Sequence, residues 1–354
     1  MNKVLLIALR HRDDKFGDNS KSSFANTQVH TSWSEAISKL GYICIEFPID
    51  RITLSSSNVF LVRIINGFLR RVIGLLQDIV YAFRLLLIFL FSAPKVVLLS
   101  GASGKIIPLV VYFYNFFFSC KTVFVGTMDP IFYSKSELFF AKNADLVVNN
   151  GHIKAWEKLD IQESITLPMS AADSDFHAKF NRNIQNPICD IAFIGSIHGK
   201  NYESRLEMLS WLNDYDLGIW TISPNAIEIL KKFNLEKNFK GSISRLGCPE
   251  IYSSSLITIN THAHDMFDGG NLGTFEIPGS SGFQVVDYFN AEWFIDSEEV
   301  ISYKGKEDLI EKINLYLKND SKREAIMNKG RMRALKSHTY ENRFQKIFQI
   351  LGFE

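Results

Sequence analysis

Two carboxylates stand close together in the segment from Asp268 to Asp287, which reads DGGNLGTFEIPGSSGFQVVD. Asp268 and Glu276 are eight positions apart, across a glycine-containing loop that precedes a short predicted helix. Carboxylate oxygens accept hydrogen bonds from vicinal hydroxyls, so side chains placed in this way can both face one bound polyol. Glu276 is therefore the candidate for holding a ribose.

Small residues follow that helix at Gly279, Ser280, Ser281 and Gly282. Their small side chains and backbone amides would let a diphosphate come close to the main chain. The alternative is an ordinary turn between a helix and a strand.

A second small turn, Gly195 and Ser196, ends a predicted strand in FIGS. Backbone amides and a following helix N-terminus can hold a phosphate at such a position. In the first half of the chain, Asp129 follows a predicted strand in GTMDP, where a carboxylate can accept the proton of an acceptor hydroxyl. Capping the turn before Pro130 is the other role open to it.

Strands and helices alternate along the chain, which predicts parallel sheets with crossover helices. The predicted strands cover 4–9, 42–47, 96–100, 122–126, 146–149, 190–194, 217–221 and 256–260. Predicted helices cover 32–40, 203–212, 306–318, 322–337 and 340–349.

A length of 354 residues exceeds what one hydrophobic core usually supports, so two domains are expected. The polar, aperiodic stretch FNRNIQNP at 180–187 is the predicted linker. The expected division is a first domain at 1–183, a second at 188–337 and a final helix at 338–354.

The formal net charge of +1 argues against a nucleic-acid partner, because such binding needs a basic excess. Four scattered cysteines indicate neither a zinc site nor a disulfide framework, which favours a reducing cytoplasm. The short apolar run after Met1 is interpreted as a strand and not as a signal peptide.

Residues 59–118 are unusually apolar and aromatic. The expectation is that charged residues between 59 and 91 exclude a spanning helix of about 20 residues. Two interpretations stay open, namely helices that lie on an anionic bilayer surface and core helices with solvated arginines. The predicted location is cytoplasmic, with peripheral attachment to the inner face of the cytoplasmic membrane as an option.

Four motifs in the second half carry a resemblance to a known family: DIAFIGS, LITINTH, NLGTFEIPGSSGFQVVDYF and KSHTYENRF. In order and spacing they resemble the CgeB-like, or spore-maturation-protein-like, branch of glycosyltransferases with the GT-B fold. Looser similarity extends to VGTMDPIFY and ITLPMSAADSDFH in the first half. The resemblance implies two Rossmann-like domains that face a cleft, and a C-terminal helix that crosses back to the first domain.

The resemblance also implies site residues. Glu276 would grip the nucleotide ribose, Asp268 would lie near the sugar, and the Gly282 turn would lie near the diphosphate. Where the family motif N-x-R-x-F-E has arginine, this chain keeps the asparagine, Asn271, but has Gly273. The missing charge needs a substitute, for which Arg245 and Lys200 are the candidates.

The implied activity is transfer of a sugar, as by a hexosyltransferase, from a nucleotide diphosphate sugar to a hydroxyl of a glycan or lipid-linked glycan. Its setting would be cell-surface polysaccharide synthesis, such as O-antigen, capsule or lipopolysaccharide. No metal is expected, because GT-B enzymes stabilise the leaving diphosphate with amides and basic side chains. The alternatives are a nucleotide-sugar epimerase and a catalytically silent binding protein of the same fold.

Overall fold

The computed structural model describes residues 2–10, 21–50, 60–101, 106–151, 153–199, 202–262 and 269–353. The chain divides into two compact units. The first contains Met1–Leu167 and Phe344–Glu354, and the second contains Pro168–Arg343.

The first unit is built on a six-stranded sheet in which every strand pairs in parallel with its neighbour. Its strands are β1 (Lys3–Arg10), β2 (Ile43–Asp50), β3 (Val96–Ser100), β4 (Lys121–Gly126), β5 (Leu146–Asn149) and β6 (Ser164–Thr166). Its helices are α1 (Lys21–Lys39), α2 (Phe60–Ser92), α3 (Ile107–Phe118), α4 (Lys135–Asn143) and α5 (Ile153–Glu157). The strand order is β2-β1-β3-β4-β5-β6.

The second unit repeats this plan with a second parallel sheet of six strands. Its strands are β7 (Ile191–Ile194), β8 (Leu217–Trp220), β9 (Phe239–Gly241), β10 (Ile257–Asn260), β11 (Gln284–Val286) and β12 (Ile301–Ser302). Its helices are α6 (Glu203–Ser210), α7 (Ala226–Lys231), α8 (Cys248–Ser254), α9 (Leu272–Gly279), α10 (Gly305–Leu317) and α11 (Asp320–Ser337). The order is β12-β11-β10-β7-β8-β9.

The hydrophobic pattern explains both sheets. All five residues of β3 and all four of β5 are buried, as expected for strands covered by helices on both faces. The central strands of the second sheet are equally apolar and bury their side chains in that unit's core. Two parallel α/β units of Rossmann type confirm the predicted fold class.

The last helix, α12 (Tyr340–Ile350), belongs to the first unit from Phe344 onward. Within that unit, the ring of Phe344 lies 5.8 Å from that of Trp33, and the ring of Phe348 lies 4.4 Å from that of Tyr42. The chain therefore returns to its first unit at its end, as predicted.

The division between the units falls at Leu167 and Pro168, before the predicted linker. Residues 180–187 belong to the second unit because backbone and side-chain hydrogen bonds hold them there. The Arg182 guanidinium donates to the carbonyls of Ser255 and Leu256 at 2.6 and 2.9 Å, and the Asn183 amide donates to the Ser253 carbonyl at 3.0 Å. A polar, aperiodic segment is thus a packed part of the fold and not a linker.

The expectation that charges exclude a spanning helix is corrected by α2. Its segment Val72–Ser92 is long and apolar enough to cross a membrane by length and composition. Asp78 and Arg84 are the charged residues of that segment, and two charges in 21 residues are too few to exclude it.

Gly330 gives a test of the packing of α11. A Cβ atom at this position would lie 2.2 Å from the backbone carbonyl oxygen of Glu299, which leaves no room for a methyl group. We expect Gly330→Ala to destabilise the second unit by roughly 3 kcal/mol, measured by urea unfolding. The matched control is Gly74→Ala in α2, where nothing lies within 4 Å and alanine should be neutral or stabilising. Equal effects of the two substitutions would contradict this packing.

Candidate functional site

The second sheet has a switch point between β7 and β10. These strands are neighbours, and the chain winds from β7 toward β9 on one side and from β10 toward β12 on the other. Open parallel sheets bind ligands beyond the carboxyl ends of the strands at such a point. In this unit those ends lead into Gly195 and Ser196 after β7, and into Thr261 and His262 after β10.

Arg205, on α6, joins the two strand ends. Its guanidinium donates to the carbonyl of Ser196 at 2.7 Å and to the carbonyl of Thr261 at 2.6 Å. The group also lies over the rings of Tyr202 and Phe193, at 4.6 and 5.5 Å from their centroids. Burial lowers the pKa of this guanidinium, and the carbonyls and ring faces offset the cost of burying the charge. Arg205 is therefore a fixed positive charge at the switch point.

Gly195 is required by this packing. A Cβ atom there would lie 2.8 Å from the Phe193 ring and 3.5 Å from Arg205 Nη1. The following residue, Ser196, is exposed, and neither its amide nor its hydroxyl makes a hydrogen bond to another described residue. A ligand can thus approach the main chain here.

Asn271 positions the start of α9 at the same place. Its Oδ1 accepts the Thr274 amide at 3.0 Å, which caps the helix, while its Nδ2 donates to the Thr261 carbonyl at 3.2 Å. That carbonyl also accepts from Arg205. Arg205 and Asn271 therefore share the Thr261 carbonyl, and Arg205 links the Ser196 turn to the start of α9. We call Gly195, Ser196, Arg205, Thr261 and Asn271 the switch-point cluster.

The residue after β10 continues this polar network. His262 Nδ1 lies 2.8 Å from Asp287 Oδ1, the His262 amide donates to Asp287 Oδ2 at 2.9 Å, and His262 Nε2 lies 3.3 Å from Thr274 Oγ1. The His262 side chain is fully buried. These contacts hold β10, β11 and α9 together.

Gly273 occupies the position where the resembling family has arginine. A Cβ atom there would be 3.0 Å from Asn260 Oδ1, a group that accepts a hydrogen bond from Asn271. A larger side chain would require this amide network to shift by a few tenths of an ångström. The residue without a side chain at position 273 thus lies in a tightly packed helix start.

A second polar cluster lies deeper in the unit, around Glu276 on α9. Glu276 and Arg245 are 2% and 8% exposed, and Arg245 Nη2 donates to Glu276 Oε1. The same nitrogen lies 3.1 Å from the Tyr340 hydroxyl. Burial alone would lower the pKa of Arg245, but the Glu276 carboxylate beside it raises that pKa overall. The structure thus brings the two predicted residues together as a buried ion pair.

His177 lies beside this pair. The Asp173 amide donates to His177 Nδ1 at 2.7 Å, and the buried Asp173 carboxylate accepts the amides of Asp175 and Phe176 at 3.1 and 2.8 Å. Burial lowers the pKa of His177, and its Nε2 has no hydrogen-bond partner within the described ranges. Asp173 therefore forms a buried turn that orients a histidine.

The predicted diphosphate role of Ser280, Ser281 and Gly282 is contradicted. Their amides donate to carbonyls of α9, with Gly282 bonded to Ile277 at 2.8 Å and Ser281 bonded to Pro278 at 3.1 Å. All three residues are buried. The segment is the helix-to-strand turn that the sequence offered as the alternative, because the last turn of a helix consumes nearby amides.

The other predicted residues lie elsewhere or are not described. Asp129, in the first unit, caps the turn Pro130–Phe132 by accepting the Ile131 amide at 2.9 Å. Its catalytic role stays a prediction. Asp268 and Lys200 lie outside the described residues. Within the described ranges, no group of three or more histidine, cysteine, aspartate or glutamate residues could hold a metal ion.

Comparison with known proteins finds a family model that matches part of the chain and solved structures that share its fold. Residues 193–349, less than half of the chain, match the model of a family described as glycosyl transferase-like. That segment contains the whole switch-point cluster. It also contains Arg245, Glu276 and Tyr340 of the deeper cluster, but neither Asp173 nor His177. No curated protein is significantly similar to the chain in sequence.

Solved structures share the fold across nearly the whole chain. Sucrose-phosphate synthase from Thermosynechococcus elongatus aligns with a TM-score of 0.66 at 11% identity and covers 99% of each chain. A T4 phage β-glucosyltransferase variant in complex with UDP-glucose aligns at 0.60 and 12% identity over 98% of each chain. The lipopolysaccharide outer core galactosyltransferase WaaB aligns at 0.55 and 13% identity, covering 98% of this chain and 99% of its own. The chain has the GT-B fold of these glycosyltransferases.

The buried ion pair yields a stability prediction. Arg245→Met would leave the Glu276 carboxylate buried without its cation, which should destabilise the second unit by about 3–5 kcal/mol. Adding Glu276→Gln to that variant removes the uncompensated charge, so the double variant should recover a large part of the loss. Urea unfolding measures both effects. A double variant no more stable than Arg245→Met alone would contradict the pairing.

Proposed function

We propose that this chain is a glycosyltransferase that moves a sugar from a nucleotide diphosphate sugar to a hydroxyl acceptor. The observation that carries the proposal is the switch-point cluster, in which the buried Arg205 guanidinium joins the turn at the exposed Ser196 to the Thr261 carbonyl beside the N-terminus of α9. The match of residues 193–349 to a glycosyl transferase-like family supports the same reaction class.

The diphosphate is assigned to the switch point. Helix N-termini and unpaired amides favour anions, and a cation in a buried site acts through a low dielectric. Arg205, which donates to the Ser196 carbonyl, supplies that charge. It takes the place of the arginine that the resembling family has at the position of Gly273. Glu276 is assigned to the ribose, with Arg245 fixing its carboxylate through Oε1.

In the reaction, the acceptor oxygen forms a bond to the anomeric carbon, and the bond from that carbon to the diphosphate oxygen breaks. We assign the removal of the acceptor hydroxyl proton to Asp129 and a role toward the transferred sugar to Asp268. The nucleoside diphosphate leaves with its charge stabilised by the α9 N-terminus and Arg205, which removes the need for a metal.

The acceptor is assigned to a glycan or lipid-linked glycan in cell-surface polysaccharide synthesis, in a cytoplasmic enzyme of the CgeB-like branch. Support comes from the motifs quoted above and from the fold shared with WaaB, whose name gives a lipopolysaccharide role.

A donor panel tests the proposal. Thermal shifts of the full chain with UDP, GDP, CMP and dTDP sugars should identify one stabilising donor. Incubating that donor with a glycan or lipid-linked glycan acceptor in EDTA should then give free nucleoside diphosphate and a glycosylated product. Isomerised donor without acceptor would favour an epimerase. Absence of any shift would favour a silent binding protein.

Ser196 allows a direct test of the diphosphate position. Ser196→Asp places a negative charge at an exposed turn, so folding should be unaffected while the donor binds at least about tenfold more weakly. Ser196→Asn is the matched control, because it has nearly the same size without the charge and should bind almost normally. Calorimetric titration at low and high salt measures both variants. Equal affinities for the two variants would place the diphosphate elsewhere.

A further inference from the structure

The first unit exposes a broad apolar surface on α2 and α3. We use the term apolar face for the exposed side of α2 from Leu75 to Phe91 and of α3 from Phe113 to Phe118. Phe91, Phe116 and Phe117 are 83%, 74% and 71% exposed. Soluble proteins rarely expose contiguous apolar patches of more than a few hundred Å² unless the patch binds something.

The opposite stripes of both helices hold them against the sheet. Tyr81, Leu85 and Phe89 of α2 are buried in the core of the unit. The Phe89 ring stacks on Tyr114 of α3 at 3.8 Å, so the two helices lie side by side near their C-terminal ends. The three most exposed phenylalanines, Phe91, Phe116 and Phe117, are therefore grouped at one end of the apolar face.

Few charges lie along the apolar face of α2. Between Val72 and Ser92 the charged residues are Asp78 and Arg84. Asp78 is buried. Arg84 is exposed, and its guanidinium lies over the rings of Phe47 and Tyr81, at 5.7 and 5.8 Å from their centroids. The segment has a mean hydropathy of 2.0, and 17% of it is buried. Apart from Arg84, its outward side is thus as apolar as a membrane segment.

A row of lysines borders the same end of the two helices. Lys3 starts β1, Lys95 precedes β3 and Lys121 starts β4, and the Lys95 and Lys121 amides donate to the carbonyls of Lys3 and Lys95 at 2.9 and 2.8 Å. Lys95 and Lys121 are exposed. Lys121 also pairs with Asp145 at 2.8 Å, so its charge is partly balanced. Helices α2 and α3 end shortly before Lys95 and Lys121, which places a basic border beside the phenylalanines.

We propose that the apolar face docks the first unit on the surface of a bilayer that contains anionic lipid. The aromatic side chains would enter the boundary between headgroups and acyl chains, and the lysine row would contact the phosphates. A symmetric contact with a second copy would bring two lysine borders to one interface, which disfavours that occupant. A spanning arrangement would strip Tyr81, Leu85 and Phe89 from the core.

Vesicle co-sedimentation of the full chain tests the docking. The protein should sediment with vesicles of 70% phosphatidylcholine and 30% phosphatidylglycerol, bind pure phosphatidylcholine more weakly, and lose part of its binding in high salt. Phe116→Ser/Phe117→Ser should lower the partition coefficient at least tenfold. The matched control, Ile227→Ser/Met332→Ser, removes side chains that are 58% and 65% exposed in the second unit and should bind normally.

The lysine row has its own test. Lys3→Glu/Lys95→Glu should abolish most of the preference for anionic vesicles, whereas Lys231→Glu/Lys237→Glu makes the same change in net charge on the second unit and should preserve it. Nucleotide binding should be unchanged in all four variants, so failure here is distinct from failure of the proposed function.

Three outcomes would overturn the docking. The first is wild-type protein that stays in the supernatant with anionic vesicles. The second is a dimer that Phe116→Ser/Phe117→Ser dissociates, with no vesicle binding. The third is membrane-bound protein that resists alkaline carbonate extraction, as a spanning helix would.

Discussion

The second unit is organised around the two hydrogen bonds that Arg205 donates to the ends of β7 and β10. A parallel sheet leaves a crevice where its winding direction reverses, and the strand ends there have no crossover to cover them. Arg205 spans that crevice from α6 and fixes the direction of both chain segments as they leave the sheet. Gly195 has no side chain because the guanidinium and the Phe193 ring already fill that space.

Helix α9 connects this crevice with the interior. At its first turn, Asn271 binds the Thr261 carbonyl, and one turn later Glu276 pairs with Arg245. A buried carboxylate is costly unless it is paired, so the pair fixes the rotation of α9 about its axis. That rotation in turn sets which amides of the helix start face the switch point. The stability of the Glu276–Arg245 pair and the geometry of the switch-point cluster are therefore linked through α9.

Much of the fold was predictable because its strands are continuous apolar runs. The predicted strands at 96–100 and 146–149 agree with β3 and β5, and the final helix was placed within one residue. Strands β6, β9, β11 and β12 were missed because each has three residues or fewer, too short to show a period. The linker was predicted at the wrong place because polar contacts hold residues 180–187 in the second unit. Hydrophobic periodicity does not reveal such contacts.

The site was less predictable than the fold. Gly195 and Ser196 follow from strand-end chemistry and Asn271 from the family motif, and the structure links them through Arg205 and the Thr261 carbonyl. Arg205 was missed, although an arginine at the start of the first helix after β7 is within reach of that strand's end. Ser280 and Gly282 were assigned to a phosphate because composition does not reveal whether an amide is already bonded within a helix turn.

The glycine at position 273 shows why a missing charge need not mean a missing function. An arginine there would extend from the start of α9, where the Asn260 and Asn271 amides make tight contact with the position of its Cβ. Arg205 instead reaches the same crevice from α6, where carbonyls and aromatic faces hold its guanidinium and the Asp287 carboxylate also acts on its charge. Electrostatic stabilisation of an anion depends on the distance and burial of the cation and not on the helix that carries it. A cation on α6 can therefore act on an anion at the switch point as well as a cation on α9 would.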